Sequence, residues 1–158
     1  MKLIAPWKFL CVGAAAVALC LAADNAAKLL PDSPGKETVV RLCTECHGPE
    51  NFRKVRHDKD EWTDSVADMV DRGAKGTPAE LAAVVDYLAQ NFGADSKVNV
   101  NTAPLQELKA QLDFTVPEAL AVIAYRQNSG SFKEWRDLLK VNGVDPQKVE
   151  AKKEKMGF

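Results

Sequence analysis

The stretch Cys43-Thr44-Glu45-Cys46-His47 decides how the first half of this 158-residue chain is built. Its C-x-x-C-H spacing is typical of a covalent haem attachment site, because the two thiols can form thioethers with both vinyl groups of one macrocycle. The histidine that follows directly places an imidazole under the iron as the proximal ligand. We therefore predict one haem c, bonded covalently to Cys43 and Cys46 and ligated by His47.

The same C-x-x-C spacing also occurs in redox-active dithiols and in zinc sites, which are the alternatives to haem. A zinc site needs two further ligands, yet beyond the N-terminal 23 residues the chain has no other cysteine and only one other histidine, His57. A thioredoxin-like dithiol needs a βαβ surround, and the sequence shows no such pattern. Haem attachment is the interpretation that these residues favour.

The first 23 residues have the features of a secretory signal peptide. Lys2 and Lys8 form a positive n-region, residues 9–22 are apolar, and the small residues Ala22 and Ala23 close the segment. The apolar run is short for a membrane span, so we expect cleavage near its end, with an uncleaved anchor as the alternative. The pattern predicts a periplasmic or otherwise exported protein without a stable membrane span after cleavage.

Charge and composition divide the rest of the chain into two small domains. Residues 36–92 carry eight Lys/Arg and eleven Asp/Glu, whereas residues 98–158 carry nine and eight, so the net charges are −3 and +1. Neither balance is typical of a protein that binds polyanions. We predict an all-α protein with a linker at 24–35, a haem domain at 36–93, a linker at 94–97 and a second domain from residue 98 onward.

Three predicted helices build the haem domain. The first covers about 37–46 and ends in the attachment site. The second covers about 60–72 and carries an apolar stripe at helical spacing, and the third follows a capping box formed by Thr77 and Glu80. Three helices of this size bury little surface by themselves. We therefore expect a haem to complete the core and the apo-domain to be poorly folded.

Three alternatives exist for the sixth coordination position of the iron. Met69 shares its apolar stripe with Trp62 and Val66, and thioether ligation raises the reduction potential and suits outer-sphere electron transfer. His57 lies in a charged run, where we expect a solvated side chain, and it is the alternative ligand. An open sixth site is the third solution and would admit peroxide or small gases. We predict Met69 as the distal ligand and expect Met156, beyond the domain boundary, to play no part.

Several motifs in residues 43–93 form a further pattern. They are C-x-x-C-H-G, Glu61-Trp62 followed by Val66 and Met69, Arg72-Gly73-Ala74, Val85-Asp86-Tyr87-Leu88, and Phe92-Gly93. With these motifs the segment resembles small monohaem class I-like cytochromes, including the cytochrome c modules found with quinoprotein dehydrogenases. The resemblance implies a class I-like haem fold with Met69 as distal ligand. We also expect Trp62, Leu81 and Tyr87 to shape the haem pocket.

Residues 98–158 carry a different set of motifs. They are Val98-Asn99-Val100-Asn101-Thr102-Ala103, Ile123-Ala124-Tyr125-Arg126, Ser129-Gly130-Ser131-Phe132, and the stretch from Asp137 to Val144. Here the chain resembles the helix-hairpin-helix module of competence DNA receptors of the ComEA type. Capping signals agree with four short helices, which begin near Thr102, at the Thr115–Glu118 and Ser131–Glu134 capping boxes, and at Asp145. Two hairpins are predicted, near 113–115 and 142–145.

The two hairpins depart from the pattern of that family. Each family hairpin has the form Gly-apolar-Gly, which lets backbone amides at a helix N-terminus approach a DNA phosphate. Here Asp113 and Thr115 flank the first apolar residue, and the second hairpin keeps Gly143 but has Asp145 in place of the second glycine. A carboxylate at each hairpin repels phosphate. We therefore favour a structural or docking role for this domain, although Lys140, Lys148, Lys152, Lys153 and Lys155 form a candidate basic face.

These features predict an exported carrier of single electrons rather than an enzyme. The sequence shows no paired carboxylates, Ser/His/Asp set or phosphate-binding loop that would support catalysis by itself. Its expected partners are redox proteins, such as a periplasmic dehydrogenase or a terminal acceptor. The first alternative is a periplasmic DNA-binding or DNA-uptake protein with an accessory haem. The second alternative is a haem sensor or peroxidase with an open sixth site.

Overall fold

The protein is described by a computed structural model that covers residues 27–158. The predicted signal peptide at 1–23 and the first residues of the predicted linker lie outside the described residues. The described part is mostly helical, with one two-stranded sheet, in agreement with the all-α prediction. None of the helices within 27–158 combines the length and the apolar character that crossing a membrane requires.

Four helices have defined bounds among the described residues of the N-terminal half. They are α1 (Lys36–Cys43), α2 (Glu50–Arg53), α3 (Lys59–Asp71) and α4 (Pro78–Asn91). Reciprocal capping boxes open the two long helices, since the Asp58 side chain caps α3 together with Glu61 and the Thr77 side chain caps α4 together with Glu80. The first helix ends at Cys43, three residues before the predicted end, so the rest of the attachment motif lies in a turn.

The C-terminal half contains three α-helices and a small parallel sheet. Its elements are β1 (Val98–Asn99), α5 (Leu105–Leu112), α6 (Val116–Ser129), a 3₁₀ helix (Trp135–Lys140), α7 (Pro146–Lys152), a 3₁₀ turn (Lys153–Lys155) and β2 (Met156–Gly157). In the sheet, Val98 pairs with Met156. The third of the four predicted helices is thus a 3₁₀ helix. It lacks the predicted Ser131–Glu134 box, because the Asp137 carboxylate instead accepts the N–H groups of Lys133 and Glu134.

Each half has its own hydrophobic core. The first is built mainly from Leu30, Val39, Phe52, Trp62, Val84, Val85, Tyr87, Leu88 and Phe92. The second is built mainly from Val98, Val100, Leu108, Leu112, Phe114, Val122, Phe132, Leu138, Val149 and Met156. The two halves therefore bury their apolar side chains in separate clusters.

The last residues of the predicted linker at 24–35 pack against the first domain. Leu30 is buried in the core of that domain, and the Tyr87 hydroxyl donates a hydrogen bond of 2.8 Å to the Pro31 carbonyl. Gly35 precedes α1 with φ of +92°, and a Cβ at this position would lie 2.9 Å from the Ala83 carbonyl oxygen. The described part of this segment is therefore an integral piece of the domain, because its apolar side chain and carbonyl find partners on α4.

We predict that Gly35→Ala destabilises the first domain by about 1–3 kcal/mol, because alanine at positive φ is strained and its methyl group meets the α4 backbone. Gly73 is the matched control, since it also has positive φ but a Cβ there would meet no atom within 4 Å. Gly73→Ala should therefore lower the free energy of unfolding by a smaller amount, because it carries the backbone strain without the steric contact with α4. Urea denaturation of the two variants and the wild type measures the difference. Equal losses for the two variants would contradict the contact with α4.

Candidate functional site

A cavity of about 590 Å³ lies in the first domain and opens beside the C-x-x-C-H motif. Side chains from α1, the attachment turn, the segment 51–57, α3, the turn 72–75 and α4 line it. This volume falls within the range of about 300–1,000 Å³ that small-molecule and cofactor pockets occupy. The predicted attachment residues Cys43, Cys46 and His47 all line the same cavity.

The two cysteines are free thiols in different surroundings. Cys43, at the end of α1, is partly buried, whereas Cys46 is exposed. Burial raises the pKa of the Cys43 thiol to about 11, so this thiol is protonated at neutral pH. Dithiol oxidoreductases depend on a lowered thiol pKa, and the surroundings of Cys43 have the opposite effect. Burial of Cys43 therefore does not favour a reactive thiolate at this position.

The His47 imidazole is held by its turn and by one aromatic neighbour. Its Nδ1 lies 3.3 Å from the Gly48 carbonyl oxygen, and its ring meets the ring of Phe52 edge-on at 6.4 Å between centroids. With the proton on Nδ1, this contact fixes the tautomer and leaves Nε2 with a lone pair for a metal. The arrangement suits a proximal ligand. Within residues 27–158, no three side chains among His, Cys, Asp and Glu form a group that could hold a metal ion by themselves.

Both candidate distal ligands reach the cavity. Met69 lines it together with Trp62 and Val66, as the apolar stripe of α3 predicts, and its side chain remains 37% exposed. The expectation that His57 would be simply solvated needs correction, because His57 also lines the cavity and its ring packs edge-on against Trp62 at 4.9 Å. The indole of Trp62 donates to the Phe92 carbonyl at 3.1 Å, which fixes the orientation of this lining side chain.

Other predicted residues fall in different places. Leu81 lines the cavity as expected, together with Trp62. Tyr87 does not belong to the lining: it is fully buried in the core, and its hydroxyl donates to the Pro31 carbonyl. Met156 lies in the core of the second domain, paired with Val98, which agrees with the expectation that it is no ligand.

Three cations at the cavity were missed by the sequence analysis. Lys54, Arg72 and Lys75 line it although their side chains are largely exposed. Cations at the mouth of an apolar cavity suit a ligand with carboxylate groups at one edge. No signal in the sequence indicated this placement, because lysine and arginine are usually solvated surface residues.

The hairpins of the second domain form where they were predicted. Asp113 ends α5 in the left-handed conformation with φ of +56°, and Gly143 has φ of +88° in the second hairpin. Asp113 forms an ion pair with Lys152. Hydrogen bonding from this ammonium group and its charge lower the pKa of the Asp113 carboxyl. The first hairpin thus presents an ionised carboxylate that is already paired with a lysine of α7.

Glu118 connects the two hairpins. Its carboxylate accepts the Thr115 N–H at 2.7 Å and the Asp145 N–H at 3.1 Å, and it pairs with Lys148 at 2.7 Å. Only 6% of Glu118 is exposed. Burial acts to raise the pKa of this carboxyl, but the hydrogen bonds from Lys148, Thr115 and Asp145 outweigh burial and lower it to about 2. The sequence analysis assigned Glu118 only to a local capping box.

This arrangement changes how the hairpins can meet an anion. Two backbone N–H groups at the N-termini of α6 and α7 already donate to a protein carboxylate, and the Gln147 N–H donates to the Asp145 side chain at 2.8 Å. A phosphate at this place would have to compete with Glu118 for donors. Four lysines of the predicted basic face also form ion pairs: Lys140 with Asp137, Lys148 with Glu118, Lys152 with Asp113 and Lys153 with Glu150.

Comparisons with known proteins identify the second domain. Residues 93–156 match the family described as the helix-hairpin-helix motif. ComE operon protein 1 of Bacillus subtilis (strain 168) is 38% identical over 58 residues, which cover 37% of this chain and 28% of the relative. The chain thus spans less than a third of the length of that relative. No solved structure matches. The predicted helix-hairpin-helix domain is confirmed, whereas the cytochrome resemblance of 43–93 stays a prediction.

We predict that the second domain loses stability between about pH 4.5 and pH 2 through Glu118. The pKa of this group is lowered from 4.5 to about 2 in the folded state, so its contribution is complete above the upper value and is lost as pH falls through the lower one. Glu118→Gln should lower stability at pH 7 by about 1–3 kcal/mol and flatten the acid dependence. Urea denaturation at pH 7 and pH 3 measures both effects.

The exposed Glu150 provides a control for Glu118, because it too pairs with a lysine, at 2.5 Å. Glu150→Gln should change stability by less than about 1 kcal/mol at either pH. An acid dependence that is the same in wild type and Glu118→Gln would contradict the role assigned to the buried carboxylate.

Proposed function

We propose that this chain is an exported protein that combines a covalently bound haem with a helix-hairpin-helix domain that binds DNA. The observation that supports the first part is the convergence of Cys43, Cys46 and His47 on one cavity of about 590 Å³. The observation that supports the second part is the family match at residues 93–156. The two parts are argued separately, because they rest on different domains.

The residues at the cavity fit a haem in each chemical respect. Two free thiols lie at its edge, an imidazole has its Nε2 available, the walls are mainly apolar, and cations lie at the mouth. A haem bound there would supply reversible one-electron chemistry at iron. The chain's own residues would tether the macrocycle through Cys43 and Cys46, ligate through His47 and exclude water with Trp62 and Val66.

For this cavity we propose outer-sphere electron transfer with redox proteins outside the cytoplasm. Met69 is the proposed distal ligand, and a thioether in that position favours the reduced metal and raises the potential. A filled sixth position excludes substrates, so the cavity would pass electrons rather than transform a small molecule. Met69 is also 37% exposed, which leaves an approach for a partner close to the cavity.

For the second domain we propose DNA binding, in a DNA-binding or DNA-uptake role. The family match and the similarity to the Bacillus subtilis relative support this role better than electron transfer, because the match at residues 93–156 is to the helix-hairpin-helix motif. Glu118 occupies hairpin amides and the net charge of residues 98–158 is only +1, so we expect weak, non-specific binding that depends strongly on salt. If the second domain does not bind DNA, we propose that it docks the chain on a redox partner.

Two matched variants test the distal ligand. Both are produced as secreted protein in cells whose haem maturation machinery is active. Met69→Ala should convert a low-spin spectrum into a high-spin or ligand-exchanged one, because the iron loses its thioether. His57→Ala should leave the spectrum low-spin. Optical spectroscopy measures both, and mass spectrometry reports covalent attachment. A colourless product with free Cys43 and Cys46 thiols would refute the haem proposal, and a converse response of the two variants would assign His57 instead.

DNA binding is tested by titrating the full chain with a random-sequence duplex at low and moderate salt. We expect a mobility shift at low salt that weakens steeply as salt rises, because phosphate contacts release counterions. Lys153→Glu and Lys155→Glu should each weaken binding about threefold or more. Lys59→Glu, an exposed paired lysine of the first domain, is the control and should change nothing. No shift at low salt would remove DNA as a partner and leave the docking role.

A further inference from the structure

One segment of the first domain is held in place by the second domain. This segment, residues 50–57, contains α2 and the turn that follows it, and five of its side chains line the cavity, among them Phe52, Val55 and His57. It also carries Arg53 and Arg56, whose side chains point away from the cavity and meet α5 of the helix-hairpin-helix domain. The segment therefore lies between the two domains.

Glu107 of α5 receives both guanidinium groups. Its Oε2 accepts Arg53 Nε at 2.8 Å and lies 2.7 Å from Arg53 Nη2, and its Oε1 accepts Arg56 Nη2 at 2.7 Å. The exposed fractions of the Arg53 and Glu107 side chains are 2% each, and that of Arg56 is 8%. A carboxylate with both oxygens engaged by two buried cations is a strong and directional contact.

The remaining donors of the two arginines connect the surrounding backbone. Arg53 donates to the carbonyl groups of Leu29 and Thr102, and Arg56 donates to those of Ser96, Arg53 and Val55. These acceptors come from the segment before α1, from the second domain, from the linker at 94–97 and from the segment 50–57 itself. The cluster thus joins three regions of the chain: the segment before α1, the segment 50–57, and residues 96–107, which run from the linker into α5.

The cluster reaches the cavity through Phe92. Both guanidinium carbons lie over the ring of Phe92, at 6.0 Å for Arg53 and 5.6 Å for Arg56. The carbonyl of Phe92 accepts the backbone N–H of His57 at 3.3 Å and the indole N–H of Trp62 at 3.1 Å. Phe92 therefore connects the two parts of the structure. Its ring contacts the arginines of the ion-pair cluster, and its carbonyl holds the cavity-lining residues His57 and Trp62.

We propose that Glu107 is a positioning residue for the cavity of the first domain: it fixes the segment 50–57 and thereby places His57 and Phe52 at the cavity wall. The inference rests on the proposed function in that this cavity is the one assigned to haem. Two buried arginines face one buried carboxylate, so loss of Glu107 leaves two like charges together without compensation. The segment between the domains is then the part expected to move.

The test compares Glu107→Gln with Glu150→Gln in the full-length protein. Hydrogen–deuterium exchange is read at 51–57 in the first domain and at 98–112 in the second. Glu107→Gln should accelerate exchange at 51–57 by about tenfold, because local opening becomes easier, and should also shift the optical spectrum or the midpoint potential of the haem-loaded protein. Glu150→Gln should do neither. Acceleration confined to 98–112, with an unchanged spectrum and potential, would overturn the proposal.

A second variant keeps the test decisive if Glu107→Gln does not fold. Arg56→Gln retains the contact between Arg53 and Glu107 and reduces the excess of buried positive charge, so the fold should survive. It should still accelerate exchange at 51–57, because the segment loses the bonds that Arg56 makes to Glu107 and Ser96. Unchanged exchange would refute the proposal. Exchange is measurable with or without haem, so a failure of haem attachment would count against the proposed function alone.

Discussion

The first domain is built around a space that its own side chains do not fill. A cavity of about 590 Å³ in a domain of three main helices is large. Side chains of α1, α3 and α4 all contribute to its walls, so these three helices pack partly against the cavity rather than against one another. This constraint links the stability of the domain to its proposed ligand, because a domain this small has little other surface to bury.

Local signals in the sequence were sufficient for most helices and for the attachment motif. Capping boxes at Thr77 and Thr115 act over three residues, so a sequence shows both of their halves. The C-x-x-C-H motif is local in the same way, and its two cysteines and its histidine line one cavity. The stripe of α3 also follows from helical periodicity alone.

Contacts between distant residues could not be predicted in this manner. Glu118 reaches the Asp145 N–H across 27 residues, and Glu107 reaches Arg53 across 54. A sequence that is read alone shows the charges and not their partners. Tyr87 illustrates the same limit, since its place on a helix beside the cavity did not reveal that its hydroxyl bonds to Pro31.

The hairpins show how one fold can keep its shape while its chemistry changes. In this chain a buried carboxylate satisfies the hairpin amides, so the two turns are stabilised from within and do not need an external anion. The same bonds that hold the hairpins together reduce what they can offer to a phosphate. Affinity for DNA, where it exists, would then depend on lysines of α7 and the following turn more than on backbone amides.

The two-stranded parallel sheet brings the start and the end of the second domain side by side, with Val98 next to Met156. A unit whose ends meet can be joined to an unrelated neighbour without rearranging its interior. In this chain the contacts with the neighbouring domain include two residues of α5: Glu107 pairs with Arg53 and Arg56, and the Gln111 side chain donates to the Lys54 carbonyl at 2.8 Å.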